Sequence, residues 1–274
     1  MTLILSAMTP NFIVLASDRR LTDGATGKLI TDRENKAVLL YGQIIMGYTG
    51  LARLGRMPTD KWIVQTLTGV PPAMAVTVLA EETATIIRGM RVPEALRSHA
   101  YLLAGWLMDR ATNQRVATSI LISNFHNEHG KRIAPRGGFI AIRRSMGRSS
   151  VGIQSVGVPL ADTQLRMVRR KAERLYRNNP NRPDGIVDLL INALSNVSGT
   201  DSSVGSEMLV TSFPKAAAMQ EGVVIPLQAK MSWSANNLQA VYIGQDSQRV
   251  QYAPAQVTEQ YGMWGVSMQR VDPQ

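Results

Sequence analysis

The residue with the clearest chemical potential is the threonine at position 2. If Met1 is removed, Thr2 carries a hydroxyl and a free α-amine on the same residue. Because that amine can accept the hydroxyl proton, an N-terminal threonine is a nucleophile with its own base. An aspartate, a lysine and a glycine follow within the same N-terminal segment, at Asp18, Lys36 and Gly50. The chemistry therefore depends on whether the fold brings these three residues to Thr2.

Four short apolar runs predict the elements that position these groups. Residues 2–8 and 12–17 flank the turn sequence Thr-Pro-Asn, and residues 36–40 and 43–48 flank Tyr-Gly. Each pair is typical of an antiparallel hairpin, and the intervening segment 21–35 is expected to be a loop with a short extended piece. The runs are apolar on both faces, which indicates strands covered on both sides by other layers.

The rest of the chain predicts alternating blocks of helices and strands. Helices are expected at 59–67 with Thr59 and Asp60 as the cap, at 71–89, from Pro159 to Asn178, and at 185–196 with Asp184 as the cap. Further strands are expected at 99–107, at 116–123, in a third hairpin over 138–156, and at 207–213, 222–229 and 239–244. This order favours an α+β fold, a four-layer αββα sandwich in which two antiparallel sheets lie between helical layers.

Composition limits the class of protein. The 274 residues are 45% hydrophobic and 18% charged, which is typical of a globular chain. The absence of cysteine excludes disulfides, thiolate metal sites and a cysteine nucleophile. The start lacks the basic and long apolar regions of a signal peptide, and polar residues interrupt the uncharged stretch 62–80. We therefore expect a cytoplasmic protein without a membrane segment.

The net charge of +10 raises the question of an anionic partner. The densest basic stretch lies in a predicted helix and comprises Arg166, Arg169, Arg170, Lys171, Arg174 and Arg177. The apolar stripe of the same helix comprises Leu165, Val168, Ala172 and Leu175. Interleaved aromatic residues and zinc-finger ligands are missing, which favours a solvated face or a subunit contact over nucleic acid. A basic nucleic-acid-associated protein is the weakest of the alternatives left open.

One histidine pair has the composition of a metal site but not its spacing. His126 and His129 flank Glu128 at an interval that differs from the i, i+4 arrangement of helical zinc sites. The pair is interpreted as two loop histidines, and neither a metal site nor a cofactor is predicted.

The first half of the chain resembles the proteasome β-type subunits of the N-terminal nucleophile (Ntn) hydrolase superfamily. It is similar in particular to the bacterial threonine peptidases that partner unfoldase rings. The resemblance rests on Thr2, on Ala-Ser-Asp-Arg-Arg-Leu-Thr at 16–22, on Lys36, and on Gly-Tyr-Thr-Gly at 47–50.

Two later segments extend the resemblance. Leu-Leu-Ala-Gly-Trp at 102–106 is similar to the strand that opens the second half of the family's fold, and Asp201 with Gly205 resembles its late Asp-x-x-Ser-Gly motif. The resemblance covers residues 2–213, which we expect to form one Ntn-type domain. Residues 214–274 are an extension with further strands, expected to pack on the same domain.

The resemblance implies a threonine-type endopeptidase or amidohydrolase that uses no cofactor. Thr2 would be the nucleophile, Lys36 would lower the cost of its alkoxide, and Asp18 would hold the lysine. The N–H of Gly50 would stabilise the oxyanion, and Asp201 would support the site. The positions implied in substrate binding are Arg20, Thr22, Tyr48 and Thr49, with Thr22 pairing to an extended peptide and Tyr48 shaping the specificity pocket.

The same resemblance implies a set of partners. These are a peptide or amide substrate, further copies of the chain in a homo-oligomer or ring, and an unfoldase. Nucleic acid and membranes are not expected.

Two positions depart from the family's pattern. Val204 follows Asp201 by three residues, where active relatives have a serine, and Val158 lies where a second serine is expected. Both hydroxyls support the α-amine in those relatives. The second hypothesis is therefore a catalytically inactive relative that serves as a structural or interaction subunit.

Overall fold

The computed structural model describes residues 2–23, 26–32, 34–41, 44–109, 113–146, 151–215, 239–243, 249–251, 255–257, 262–263 and 269–271. Its helices are α1 (Thr59–Leu67), α2 (Ala75–Gly89), α3 (Asp162–Asn178) and α4 (Asp184–Ser198), with a 3-10 turn at Glu94–Leu96. The first strands are β1 (Leu3–Met8), β2 (Phe12–Asp18), β3 (Leu21–Thr22), β4 (Leu29–Thr31), β5 (Ala37–Leu40), β6 (Ile44–Thr49), β7 (Arg53–Leu54) and β8 (Met57–Pro58). The later strands are β9 (Ala100–Asp109), β10 (Gln114–Ser123), β11 (Ile140–Ser145), β12 (Gly152–Gly157), β13 (Met208–Pro214), β14 (Gln239–Ile243), β15 (Arg249–Gln251), β16 (Ala255–Val257), β17 (Gly262–Met263) and β18 (Gln269–Val271).

Two large sheets contain most of these strands. The first sheet has the order β12-β1-β2-β13-β14-β15-β18, and the second has the order β11-β10-β9-β6-β5-β16-β17. Neighbouring strands are antiparallel except for β16 and β5, which run parallel. The first two predicted hairpins are confirmed, since β1 pairs with β2 and β5 pairs with β6.

Three apolar clusters define the layers. One cluster lies between the sheets and combines side chains such as Ile4 and Leu15 of the first sheet with Leu39 and Trp106 of the second. A second cluster joins the outer face of the second sheet to α1 and α2, and a third joins the outer face of the first sheet to α3 and α4. The predicted mixed class, with antiparallel sheets and helices packed against them, is therefore confirmed.

The third predicted hairpin is wrong, although both of its strands exist. β11 pairs with β10 at the edge of the second sheet, whereas β12 pairs with β1 at the edge of the first. The chain therefore crosses from one sheet to the other between these strands. A local apolar pattern does not show this crossing, because either strand satisfies its hydrogen bonds with any suitable neighbour.

The predicted helix caps also differ from the structure. Thr59 and Asp184 are the first helical residues, while Pro58 and Pro183 occupy the cap positions and make no side-chain cap bond. Thr59 instead donates its hydroxyl hydrogen to the Leu51 carbonyl, 2.8 Å away. This bond fixes the start of α1 against the segment that follows Gly50.

The C-terminal residues add strands to both sheets. β14 pairs with β13 in the first sheet, and β16 pairs with β5 in the second. The predicted strand at 239–244 is confirmed as β14, while the predicted run at 222–229 lies outside the described residues. No helix in the described part of the chain is long and apolar enough to cross a bilayer.

Candidate active site

The ends of four strands bring the predicted catalytic residues together. Thr2 directly precedes β1, Asp18 ends β2, Lys36 directly precedes β5, and Gly50 directly follows β6. Because both hairpins contribute to the apolar layer between the sheets, these strand ends meet at one edge of that layer. The side chains of Thr2, Asp18 and Lys36 are all buried, at 6%, 0% and 2% exposure.

Lys36 lies at the centre of the site. Its Nζ donates to Thr2 Oγ1 at 2.5 Å, to the Arg20 carbonyl at 2.5 Å, and to Asp18 Oδ2 at 3.3 Å. An ammonium group has three hydrogens, and these three acceptors use all of them. Burial lowers the pKa of Lys36 from its ordinary value, while the charge and hydrogen bond of Asp18 oppose that shift. The arrangement therefore directs a cationic donor at the threonine hydroxyl.

The Asp18 carboxylate accepts hydrogen bonds from three other parts of the chain. The backbone N–H of Leu3 lies 2.8 Å from Oδ1, and the N–H groups of Arg20 and Gly205 lie 3.0 and 3.3 Å from Oδ2. With Lys36, these donors occupy about four acceptor sites, the capacity of a carboxylate. Asp18 therefore joins the start of β1, the end of β2 and the 201–205 loop.

The backbone of Thr2 is held by a second set of contacts. Its carbonyl oxygen accepts a hydrogen bond from the Val158 N–H at 3.1 Å and another from Thr49 Oγ1 at 3.1 Å. Gly157 makes this approach possible, since a Cβ at that position would lie 1.7 Å from the same oxygen. Its φ of +99° is also a conformation that glycine adopts without strain. Thr49, which the resemblance assigned to substrate binding, therefore anchors the backbone of Thr2.

Gly50 is held in position by His99. The glycine has a φ of +106°, and a Cβ there would lie 2.0 Å from the Ser98 carbonyl oxygen. The next amide, Leu51 N–H, donates to His99 Nδ1 at 3.1 Å. Burial lowers the pKa of His99 to about 3, so the ring is neutral at physiological pH and Nδ1 can accept. Sequence reasoning missed His99, because no local pattern links it to Gly50.

A cavity of about 460 Å³ opens beside Thr2. Its lining includes Thr2, Gly50 and the predicted substrate-binding residues Arg20 and Thr22. Apolar side chains contribute the other wall, namely Leu21, Ile30, Leu51, Met90 and Leu96. This size is within the range of pockets that bind small molecules or a few residues of a peptide.

The guanidinium of Arg20 is already engaged within the protein. Its Nε and Nη2 donate to the two carboxylate oxygens of Asp32 at 2.8 and 3.3 Å, and Nη1 donates to the Ser202 carbonyl at 2.9 Å. A bidentate pair of this kind fixes both partners. Arg20 therefore joins the Asp32 segment to the 201–205 loop at the cavity wall.

Tyr48 does not line this cavity. Its ring is 2% exposed and belongs to the apolar cluster between the second sheet and helices α1 and α2. Its hydroxyl donates to the Asn35 carbonyl at 2.8 Å, and burial raises its pKa well above the ordinary value. The alternation of side chains along β6 explains this position, because Tyr48 points to the outer face of the sheet. Tyr48 supports the fold beneath the site.

The late motif contributes a serine other than the expected one. Asp201 Oδ1 accepts hydrogen bonds from the Ser203 N–H at 2.8 Å and from its hydroxyl at 2.6 Å, which lower the pKa of Asp201. Ser203 lines the same cavity as Thr2, whereas Val204 is fully buried against the outer face of the first sheet. The sequence carried a signal for this turn, since aspartate followed by serine favours such local hydrogen bonds.

The histidine pair in the sequence is divided between two environments. His126 is buried and its Nδ1 lies 2.7 Å from Ser123 Oγ, while His129 is exposed. The described residues contain no cluster of three or more histidine, cysteine, aspartate or glutamate side chains that could hold a metal ion.

No protein-family model matches this chain, and no curated protein sequence matches it.

Proposed function

We propose that this protein is an N-terminal nucleophile hydrolase of the threonine type, acting on peptide or amide bonds. The observation that carries the proposal is the 2.5 Å contact between Lys36 Nζ and Thr2 Oγ1, made where both side chains are buried. At this contact, the positive charge of Lys36 would stabilise the Thr2 oxygen when the hydroxyl becomes an alkoxide.

The proposed reaction begins at the Thr2 hydroxyl after Met1 is removed. The free α-amine takes the hydroxyl proton while Oγ1 bonds to the scissile carbonyl carbon, and the carbonyl electron pair moves to oxygen. The Gly50 N–H stabilises this oxyanion, and the positive charge of Lys36 stabilises Oγ1 as the proton leaves. Collapse of the intermediate expels the amine product, which takes its proton from the α-ammonium group.

The remaining ester is then hydrolysed. Water attacks the ester carbonyl with the α-amine again as the base, so that the carboxylic acid leaves and Thr2 is restored. Ser203 and Asp201 provide the polar groups that the family's two missing serines would otherwise supply. Ser203 lines the cavity beside Thr2, and Asp201 holds its hydroxyl at 2.6 Å.

The Ntn type of the fold is part of the same proposal. Its support is the order of layers, with helices outside two facing sheets, and the position of Thr2 at the start of a strand inside that sandwich. The lining of the cavity includes Thr22 and Gly50, whose backbones could both pair with an extended peptide.

Hydrolysis of a panel of fluorogenic peptides and simple amides tests the proposal. The purified full chain, with Met1 removal verified by intact mass, should release fluorophore, and Thr2→Ala should abolish the release. Thr163→Ala, at an exposed position of α3 outside the cavity lining, is the matched control and should retain full activity. Absence of any hydrolysis across the panel by protein that lacks Met1 would contradict the proposal.

A catalytically inactive role is the second candidate. The observation that favours it is the apolar burial of Val204 and Val158, at 0% and 8% exposure, in positions where active relatives carry hydroxyls. Retention of Met1 in the purified protein would support this candidate, because Thr2 would then lack its free amine.

We also infer that the protein assembles into a homo-oligomer, with an unfoldase as a further partner. Support for assembly comes from the exposed basic face of α3 and from two sheet edges, β11 and β12, that have no further strand beside them among the described residues. Light scattering coupled to size exclusion should give a mass that is a multiple of 30.0 kDa. A monomeric mass at all concentrations would contradict assembly.

A further inference from the structure

A second cavity lies apart from the nucleophile, between the edge strands of the two sheets. It has a volume of about 240 Å³ and is bounded by β11 on one side and by β12 with the start of α3 on the other. About half of its wall is apolar and includes the aliphatic side chains of Leu121, Ile142, Ile153, Val156, Leu160 and Leu165. Two of these side chains, Leu121 and Val156, belong to the apolar layer between the sheets. The cavity is therefore an opening into that layer.

One end of this cavity is cationic. Arg132 and Arg144 both line it, together with the buried ring of His126. An isolated β-bridge places His126 directly opposite Arg132, so their side chains lie on the same face. The Arg132 guanidinium also lies 5.6 Å from the ring centroid of Phe125, the neighbour of His126.

Arg144 reaches the same end because a glycine leaves room for it. A Cβ on Gly130 would lie 2.9 Å from Arg144 Nη2, and the same nitrogen donates to the His129 carbonyl at 3.1 Å. Within the described residues this is the one hydrogen bond that the Arg144 guanidinium makes. Since a guanidinium has five N–H donors, several remain for a ligand.

The other titratable groups of the cavity do not cancel this charge. Burial and the nearby Arg132 charge lower the pKa of His126 to about 4, so the imidazole is neutral at physiological pH. Asp162, at the start of α3, is exposed at the rim. Two guanidinium groups and one carboxylate leave a positive balance, with both cations on the wall opposite α3.

We propose that this cavity binds a small organic carboxylate with an aliphatic chain. The guanidinium end matches a carboxylate, which two arginine side chains can bind through paired N–H donors. The aliphatic wall matches a saturated chain, which would replace water at the opening of the apolar layer. The cavity volume of about 240 Å³ is many times the roughly 10–15 Å³ that a single water needs, so there is room for a ligand such as hexanoate.

The site is independent of the proposed hydrolase activity. No residue that lines the catalytic cavity lines this one, although Gly157 and Val158, which contact the Thr2 carbonyl, are part of its wall. Binding can therefore be measured in protein that has lost its nucleophile.

Methyl NMR of the full chain, labelled at the isoleucine δ1 carbons, tests the proposal with hexanoate as the probe. Titration should shift the methyl signals of Ile142 and Ile153 with a dissociation constant on the order of 1 mM, as expected for a ligand of eight atoms. Hexanol should bind at least about 10-fold more weakly, because it offers no charge to the arginines. Acetate should also bind at least about 10-fold more weakly, because it lacks the chain.

Matched arginine variants complete the experiment. Arg144→Gln should weaken hexanoate binding by about 10- to 100-fold, whereas Arg143→Gln, on the next residue of β11 and outside the cavity lining, should leave it unchanged. Arg132→Gln provides a second variant from a different segment of the chain. Unchanged signals from methyl groups far from the cavity show that each variant is folded. Equal binding of hexanol, equal weakening by Arg143→Gln, or no shift of either isoleucine would each overturn the proposal.

Discussion

Substitution of Gly157 by alanine is the most specific perturbation that the site suggests. The added Cβ would lie 1.7 Å from the Thr2 carbonyl oxygen, while Cβ contacts under 3.0 Å are essentially never found. β12 and the nucleophile must therefore separate by at least about 1.3 Å, the difference between these distances. A displacement of about 1 Å in a reacting group can reduce the rate about 100-fold.

The same substitution should also destabilise the fold. A positive φ costs alanine about 1–2 kcal/mol, and overpacking adds about 1–3 kcal/mol, so we expect a loss of about 2–5 kcal/mol. Gly55→Ala is the matched control, because Gly55 also has a positive φ, of +61°, but no atom within 4 Å of the added Cβ. That variant should lose only about 1–2 kcal/mol and keep its activity.

Urea unfolding and peptide hydrolysis measure both effects. The free energy of unfolding tests the contact whether or not the protein is an enzyme, and kcat/KM tests its role in placing Thr2. If Gly157→Ala is no less stable than Gly55→Ala and retains kcat/KM within about threefold, the proposed anchoring of Thr2 by β12 is wrong.

Three further predictions follow from the charges and hydroxyls of the site. Lys36→Met should lower kcat by about 100- to 1000-fold with a smaller effect on KM. The pH–rate profile of the wild-type protein should fall on its alkaline side below pH 10.5, because burial lowers the pKa of Lys36. Ser203→Ala should lower kcat by about 2- to 10-fold, whereas Ser202→Ala, whose side chain is exposed, should have no effect on peptide hydrolysis. Between pH 6.5 and 5, buried His99 and His126 should each lower the stability by about 1 kcal/mol per pH unit, because each takes up its proton only in the unfolded chain. His99→Gln should therefore reduce the slope measured by urea unfolding by about 1 kcal/mol per pH unit.

The first fifty residues were predictable because their information is local. Each apolar run is followed closely by its hairpin partner, so β1 with β2 and β5 with β6 could be paired from the sequence. The convergence of Thr2, Asp18 and Lys36 follows from these hairpins once the two sheets face each other. The resemblance to a known family supplied the roles that spacing alone could not give.

Contacts between distant segments were not predictable in this way. Gly157 is the last residue of β12, and only the pairing of β12 with β1 shows that its missing side chain admits the Thr2 carbonyl. The wrong third hairpin has the same cause, since β11 and β12 are neighbours in sequence but belong to different sheets. Pairings between remote segments depend on tertiary contacts that a single sequence does not report.

The 201–205 loop shows how a motif can mislead by one residue. Matching the family's pattern placed Val204 at the serine position and suggested that the hydroxyl was missing. In the structure, Ser203 bonds to Asp201 and lines the cavity, while Val204 fills the apolar layer beneath α4. The turn therefore directs Ser203 to the cavity and Val204 to the apolar layer.

Covalent labelling of Thr2 by a peptide epoxyketone tests the central claim most directly. This reagent forms a ring with a hydroxyl and a free α-amine on the same residue, so it reports both halves of the proposed nucleophile at once. Intact mass should show one equivalent of adduct per chain in protein that lacks Met1, peptide mapping should place it on Thr2, and Thr2→Ala should show none. Folded protein that lacks Met1 and yet forms no adduct would contradict the account.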